Sequence, residues 1–338
     1  MESSTRAAVA AFWRWWGEGG AAEVAAATSD GEPERIAGLL SDHVHRIAAG
    51  LAWETGAGTD SRHLLTVTAA GDADLRATAR RWLIAAPDPD PTWAYADLRQ
   101  PLPDPATGSL TLAGTTIGFA GVVIGARAVG NHLDVAVHHP AFASQSEDDR
   151  IQAAYLVLDA LAGEELVECW IGEISAVTIA PLDAFPAVHL GAFVRGFARE
   201  RQDEHGSPQW VLLRGTGPDG PVMAVAQASL SGVLAPLLDT HVAVDLPYAD
   251  RNPDDLPGPV ALESLRAMED HLTDRLGSDG RLVAAETSAG VRRLHFYVEA
   301  DSVGAGVLAA SVTSWDQGEV RTTSGYDPGW GEVAHLRS

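Results

Sequence analysis

Hydrophobic positions recur along this chain with two periods, and the switch from one to the other marks its elements. Between His241 and Gly325 the pattern predicts a strand (His241–Leu246), a helix (Pro259–Leu276), two strands (Arg281–Thr287 and Val291–Glu299), a helix (Ser302–Ser314) and a strand (Gly318–Ser324). The first helix is the best determined. Leu262, Leu265, Met268, Leu272 and Leu276 fall on one stripe at three- and four-residue steps, with Glu263, Arg266, Asp270 and Asp274 elsewhere. Pro257 and Pro259 suit its entry and Gly277 its exit.

The hairpin that follows supplies a sheet to cover that stripe. A two-residue turn at Ala289-Gly290 sets Ser288 opposite Val291, Glu286 opposite Arg293 and Ala284 opposite His295. Alternation then gives an apolar face of Val283, Ala285, Leu294, Phe296 and Val298, and a mixed face of Leu282, Glu286, Arg293, His295 and Tyr297. Glu286 and Arg293 are expected to form a cross-strand ion pair worth roughly 0.2–1 kcal/mol. Ala289 strains the turn, because a positive φ suits alanine poorly.

The first half shows the same theme. A strand (Leu64–Ala69), a helix (Ala73–Ala85), a strand (Thr92–Arg99), a hairpin (Phe119–Val129 with His132–His138), a helix (Glu147–Ala162) and a strand (Val167–Ile179) are predicted. A short extra strand is expected near Leu110–Leu112, and Ser146 is placed to cap the second of these helices. Ahead of them, Phe12, Trp15 and Trp16 share a side of a first helix, and so much aromatic surface is expected to dock on the body of the protein. The expected fold class is α+β: two ferredoxin-like (βαββαβ) units with mainly antiparallel sheets and helices on one face. The expected segments are a helical amino-terminal part (1–60), a first unit (61–180), a connecting helical stretch (181–208) and a second unit (209–338).

Composition narrows the partners. The formal charge of −23 disfavours a nucleic-acid backbone and an anionic membrane surface. Every cation besides histidine and the amino terminus is arginine, which excludes a Schiff-base lysine and a Walker lysine and, with abundant Ala and Gly, has the look of a GC-rich bacterial genome. Cys169 is the one cysteine, so no intrachain disulfide forms; it is expected as an inert thiol in an apolar, strand-like run. The amino terminus is too soon interrupted by Arg14 for a signal peptide, and a cytoplasmic protein is expected.

Motifs for chemistry are sparse. Gly215 to Gly220 spells the dinucleotide fingerprint, yet a turn and a strand follow it where a helix is needed. His43 and His45 point to opposite sides of a helix and share no metal. His132 and Asp134 lie on one strand face, about 6.6 Å apart along the chain, and make a weak metal candidate with His138 out of reach. Glu54, Asp97 and Glu286 are possible acids or bases, each with a plainer role at an element end. Arg293, His295 and Tyr297, with Glu286, form the candidate binding surface, since the helix-free face of such a sheet often binds something.

Three pieces resemble a bacterial family, the domain of unknown function 695, over roughly residues 205–338. They are Gly258–Leu272, the hairpin from Ala285 to Tyr297 with Thr287, Gly290, Phe296 and Tyr297, and the close Asp327-Pro328-Gly329-Trp330. Phe12, Trp15, Trp16, Trp53, Glu54, Trp93, Ala96 and Arg99 are similar to the amino-terminal region of longer members. The resemblance implies no catalytic residue and no cofactor. Related members joined to domains similar to a ribonuclease E inhibitor imply a role in binding another protein. The expectation is therefore a non-enzymatic interaction or regulatory module; the alternative is a metal-dependent or acid/base hydrolase-like enzyme, favoured if three or more polar groups converge in a pocket. The oligomeric state is left open.

Overall fold

The computed structural model describes residues 3–218 and 220–337. Met1, Glu2 and Ser338 lie outside the described residues, as does Asp219 in the expected Pro218–Gly220 turn. The chain divides into two compact units, Met1–Glu200 and Arg201–Ser338. It is a mixed α+β protein rich in antiparallel pairing.

The first unit opens with α1 (Ser3–Trp15), a π-helical turn (Trp16–Gly20), α2 (Ala21–Asp30) and α3 (Pro33–His45). Strands β1 (Ala52–Ala57) and β2 (His63–Thr68), helix α4 (Ala73–Ile84) and strand β3 (Trp93–Ala96) follow. Phe12 and Trp16 are buried in one cluster with Trp82 and Trp93, so the aromatic surface of α1 is core. His43 stacks on Trp15 at 3.8 Å between ring centroids, while His45 is exposed.

Next come the hairpin β4 (Ser109–Leu112) and β5 (Thr115–Gly118), then β6 (Val123–Val129), β7 (His132–His138), α5 (Glu147–Ala162), α6 (Glu164–Trp170), β8 (Ile171–Val177), β9 (Phe185–Pro186) and α7 (Leu190–Arg199). The single βαββαβ sheet expected for 61–180 is not formed. Three sheets stand there instead, ordered β1-β2-β3, β4-β5 and β8-β7-β6-β9. Helix α4 carries the chain back, so β3 pairs parallel to β2. Pro101, Pro103 and Pro105 then lack the N–H groups that would extend that ladder. The Val167–Ile179 strand is also corrected, because its first residues are helical in α6. A short buried apolar run reads alike for strand and helix, and Cys169 and Trp170 are buried in it. Ser146 caps α5 as expected, accepting the Asp149 N–H at 3.1 Å.

The second unit holds β10 (Trp210–Gly217), β11 (Gly220–Gln227), β12 (Thr240–Pro247), α8 (Pro259–Leu276), β13 (Gly280–Ser288), β14 (Val291–Val298), α9 (Gly304–Ser311) and β15 (Arg321–Tyr326), then a 3-10 turn (Gly331–Leu336). Its six strands form an antiparallel sheet ordered β10-β11-β13-β14-β12-β15. The stripe Leu265, Met268, Leu272 and Leu276 packs with Leu308 of α9 on Val242, Val244, Leu294 and Phe296. Each fully buried leucine there contributes about 1.5–3 kcal/mol. The hairpin register is the expected one, Ser288 opposite Val291 and Glu286 opposite Arg293. One face assignment is corrected: a bulge between Leu282 and Ala284 makes Val283 the extra residue. Leu282 therefore packs on the helix side, and Val283 joins Tyr297 and Trp330 on the other.

Candidate functional site

Alternation along four strands builds one polar face, opposite the helices. In register, His241 lies between Tyr297 and Gly325, Ala243 between His295 and Thr323, and Asp245 between Arg293 and Arg321. Glu286 adjoins Arg293 on β13. The carboxyl-terminal segment covers one end of this face through Trp330, Val333 and Leu336. The remainder is a cleft of about 710 Å³, lined by His241, Glu286, Arg293, His295, Arg321, Thr323, Asp327, Glu332 and His335 among others. Ala243 and Gly325 leave its floor low, and a Cβ on Gly325 would meet nothing within 4 Å.

A chain of hydrogen bonds runs across the floor. His241 Nε2 is 2.9 Å from His295 Nδ1, His295 Nε2 is 2.9 Å from Glu286 Oε1, and His335 Nε2 is 3.0 Å from the same oxygen. The Glu286 carboxylate fixes the direction of the bonds made to it. Burial alone would raise its pKa, but the bonds from His295 and His335 outweigh burial and hold it below the ordinary value. An ionised carboxylate only accepts, so His295 donates to it from Nε2, and its Nδ1 shares a single proton with His241 Nε2. His241 Nδ1 takes no partner among the described residues. Burial, then the neighbouring His295, pushes the His241 pKa down to about 4, so this imidazole is neutral at ordinary pH.

The end of the face is tied down by Tyr297. Its phenol donates to Asp327 Oδ2 at 2.5 Å, and its ring stacks on Trp330 with centroids 4.4 Å apart. Asp327 also accepts the N–H groups of Gly331 and Glu332. Burial, reinforced by Asp327, raises the Tyr297 pKa far above its ordinary value, so the phenol keeps its proton.

Of the candidate surface, Glu286, Arg293 and His295 line the cleft, and Tyr297 lies buried beneath it. The expected Glu286–Arg293 ion pair is replaced. Arg293 bonds both oxygens of Asp245 at 2.7 and 2.9 Å, a bidentate pairing, and Glu286 turns to the histidines. Asp245 was out of view because it belongs to β12, outside the hairpin. His241 was missed for the same reason, although its alternation against Val242 and Val244 marks it as facing away from the helices. His335 and Asp327 lie in segments without periodicity.

The other sequence candidates do not line this cleft. Asp134 accepts from Arg127 at 3.1 Å and from the Glu173 N–H at 3.0 Å. Among the described residues no group of three His, Cys, Asp or Glu side chains is arranged to hold a metal, His132 and Asp134 included. Asp97 is buried between Arg76 and Arg80, at 2.9 and 2.8 Å. The first unit has its own pocket of about 530 Å³, where Arg99 meets Asp159 at 3.4 Å beside Glu164 and Glu168. Burial, then the charge of Glu164, raises both Asp159 and Glu168 to a pKa of about 7.

Residues 223–332 match the model of a family of unknown function, DUF695. The DUF695 match takes in His241, Glu286, Arg293, His295, Tyr297, Arg321 and Asp327, and stops before His335. It covers the carboxyl-terminal part of the chain, and the amino-terminal half, expected to resemble longer members, has no family match. Neither a curated protein nor a solved structure matches the chain. No helix among the described residues is long and apolar enough to cross a membrane.

Proposed function

We propose that the DUF695 unit binds a small polar ligand in the cleft and performs acid–base chemistry on it, with His241 donating its Nε2–H to His295 and accepting a proton at Nδ1. One observation carries this reading: the hydrogen-bonded chain from His241 through His295 to Glu286. A proton taken at Nδ1 leaves positive charge on His241. That charge is relieved as Nε2–H moves toward His295 and His295 donates more strongly to Glu286, as a carboxylate supports a catalytic imidazole elsewhere. The order β13-β14-β12-β15, with α8 and α9 on one face, supports a ferredoxin-like reading of this unit and accounts for an open face opposite the helices.

The test is turnover of a panel of ester, amide and phosphoester substrates by the full chain. General acid–base catalysis typically contributes ~10²–10⁴-fold. At least one substrate is expected to turn over, and His241→Asn and Gly325→Leu, which fills the cleft, each to slow it by about 10²-fold. A rate indifferent to both variants, or silence across the whole panel, removes the acid–base reading.

A second reading, a protein-interaction module, is favoured by a different observation. Trp210 and Leu212 on the edge strand β10 are 49% and 53% exposed. Affinity capture that depends on Trp210 and ignores His241 would support it over the first.

A further inference from the structure

Acids outnumber arginines two to one in this chain, 46 against 23, so an arginine within a cleft is expected to find a carboxylate. Arg293 does, and its bidentate bond uses both oxygens of Asp245. Arg321 stands opposite that same Asp245 on β15, lines the same cleft and is exposed. It takes no hydrogen bond or ion pair among the described residues. Thr323, two residues on and therefore on the same face, also lines the cleft, with its hydroxyl unused.

A free guanidinium fork beside a free hydroxyl is the chemistry that receives a carboxylate or a phosphate. Arg293 does not compete for it, since its charge is matched by Asp245. The distance to the acid–base end follows from the register. Arg321 pairs with Asp245, four residues along β12 from His241, which is roughly 13 Å of strand. We infer that the cleft takes an elongated ligand whose anionic end, a carboxylate or a phosphate, is held by Arg321 and Thr323 while its other end lies at His241. The assignment rests on the cleft being the ligand site. A net charge of −23 disfavours long polyanions, so the ligand carries its charge at one end.

The experiment is titration of the full chain with inorganic phosphate and, separately, with glutarate, read by the histidine side-chain NMR signals and by thermal stabilisation. Saturable binding of at least one probe is expected, weakened about tenfold by Arg321→Gln. Arg266→Gln, an exposed arginine of α8 far along the other face, is expected to leave it unchanged. Tighter phosphate binding names a phosphorylated ligand, and tighter glutarate binding names a carboxylate. Equal affinity in wild type and Arg321→Gln, equal losses in both arginine variants, or no binding of either probe overturns the anion subsite. If binding depends on Arg321 while the whole substrate panel stays silent, the anion subsite stands and the acid–base reading falls.

Discussion

Tyr297 and Asp327 meet through a 2.5 Å hydrogen bond that fastens the interior of β14 to the segment closing the second unit. Around it, Trp330 adopts a left-handed backbone (φ 54°), stacks on Tyr297 and donates its indole N–H to the Leu238 carbonyl at 2.9 Å. A bulky residue in that conformation costs on the order of 1–2 kcal/mol, which the stack and the two hydrogen bonds offset. Tyr297→Phe is expected to cost about 1.5–3 kcal/mol, the range for a hydrogen bond to a charged group. Trp330→Ala is expected to cost more, about 3–5 kcal/mol, through the cavity it leaves. Urea unfolding of both variants checks the ranking; Trp330→Ala as stable as wild type would show that the closing segment is not packed as described.

The neutral state of His241 gives stability a pH dependence with a definite sign. In the unfolded chain this imidazole protonates below its ordinary value of 6.5, whereas the folded protein resists until about 4. The folded state binds fewer protons in that window, so its stability is intact above pH 6.5 and declines as pH falls toward 4. At about 1.4 kcal/mol per unit the loss is roughly 3 kcal/mol at most. His241→Asn is expected to flatten this limb. Denaturation midpoints at several pH values between 4 and 7 decide it, since parallel curves for wild type and variant contradict the assignment.

How much of this could be read beforehand depended on how local the cause was. The α8 stripe and the β13–β14 register come from short-range periodicity and one turn, and both are present as expected. The bulge at Val283 was hidden because an extra residue leaves no mark in an apolar run such as Leu282-Val283-Ala284-Ala285. In the first unit, parallel pairing of β2 with β3 and of β7 with β8 depends on where a crossover lands, which alternation does not encode. The site divided in the same way. Glu286, Arg293 and His295 were found together because one hairpin carries them. His241, Asp245 and Arg321 reach the same face from β12 and β15 by long-range pairing alone.

Ala289 marks a place where the chain is less stable than it need be. Its φ of 48° and the 78° of Gly290 form the two-residue turn of the β13–β14 hairpin. The strained turn is held from outside: Gly290 N–H donates to the Asp255 carbonyl and Tyr248 N–H to the Gly290 carbonyl, both at 3.1 Å. Asn or Gly adopts that conformation with less penalty. Ala289→Asn is therefore expected to raise stability by about 0.5–1 kcal/mol. A lower midpoint for Ala289→Asn in thermal unfolding would contradict the left-handed turn.

The first unit carries the opposite pH dependence. Asp159 is buried beside Glu164, and burial first, then that neighbouring charge, lifts its pKa from 3.8 to about 7. The folded protein thus keeps a proton that the unfolded chain surrenders near pH 4. Stability from this group is complete below that pH and is lost as pH rises toward 7. The difference spans about three pH units and amounts to roughly 4 kcal/mol as an upper bound. Arg99, at 3.4 Å, relieves only part of the cost because it is shared with Glu54 and Glu164. Asp159→Asn keeps the shape without the charge. It is expected to be near neutral at pH 4 and stabilising by a few kcal/mol at pH 8, with Glu168→Gln moving in the same direction. Urea midpoints at the two pH values are the measurement. If Asp159→Asn weakens the protein equally at pH 4 and pH 8, the Arg99 contact outweighs the buried charge and Asp159 is ionised in the fold.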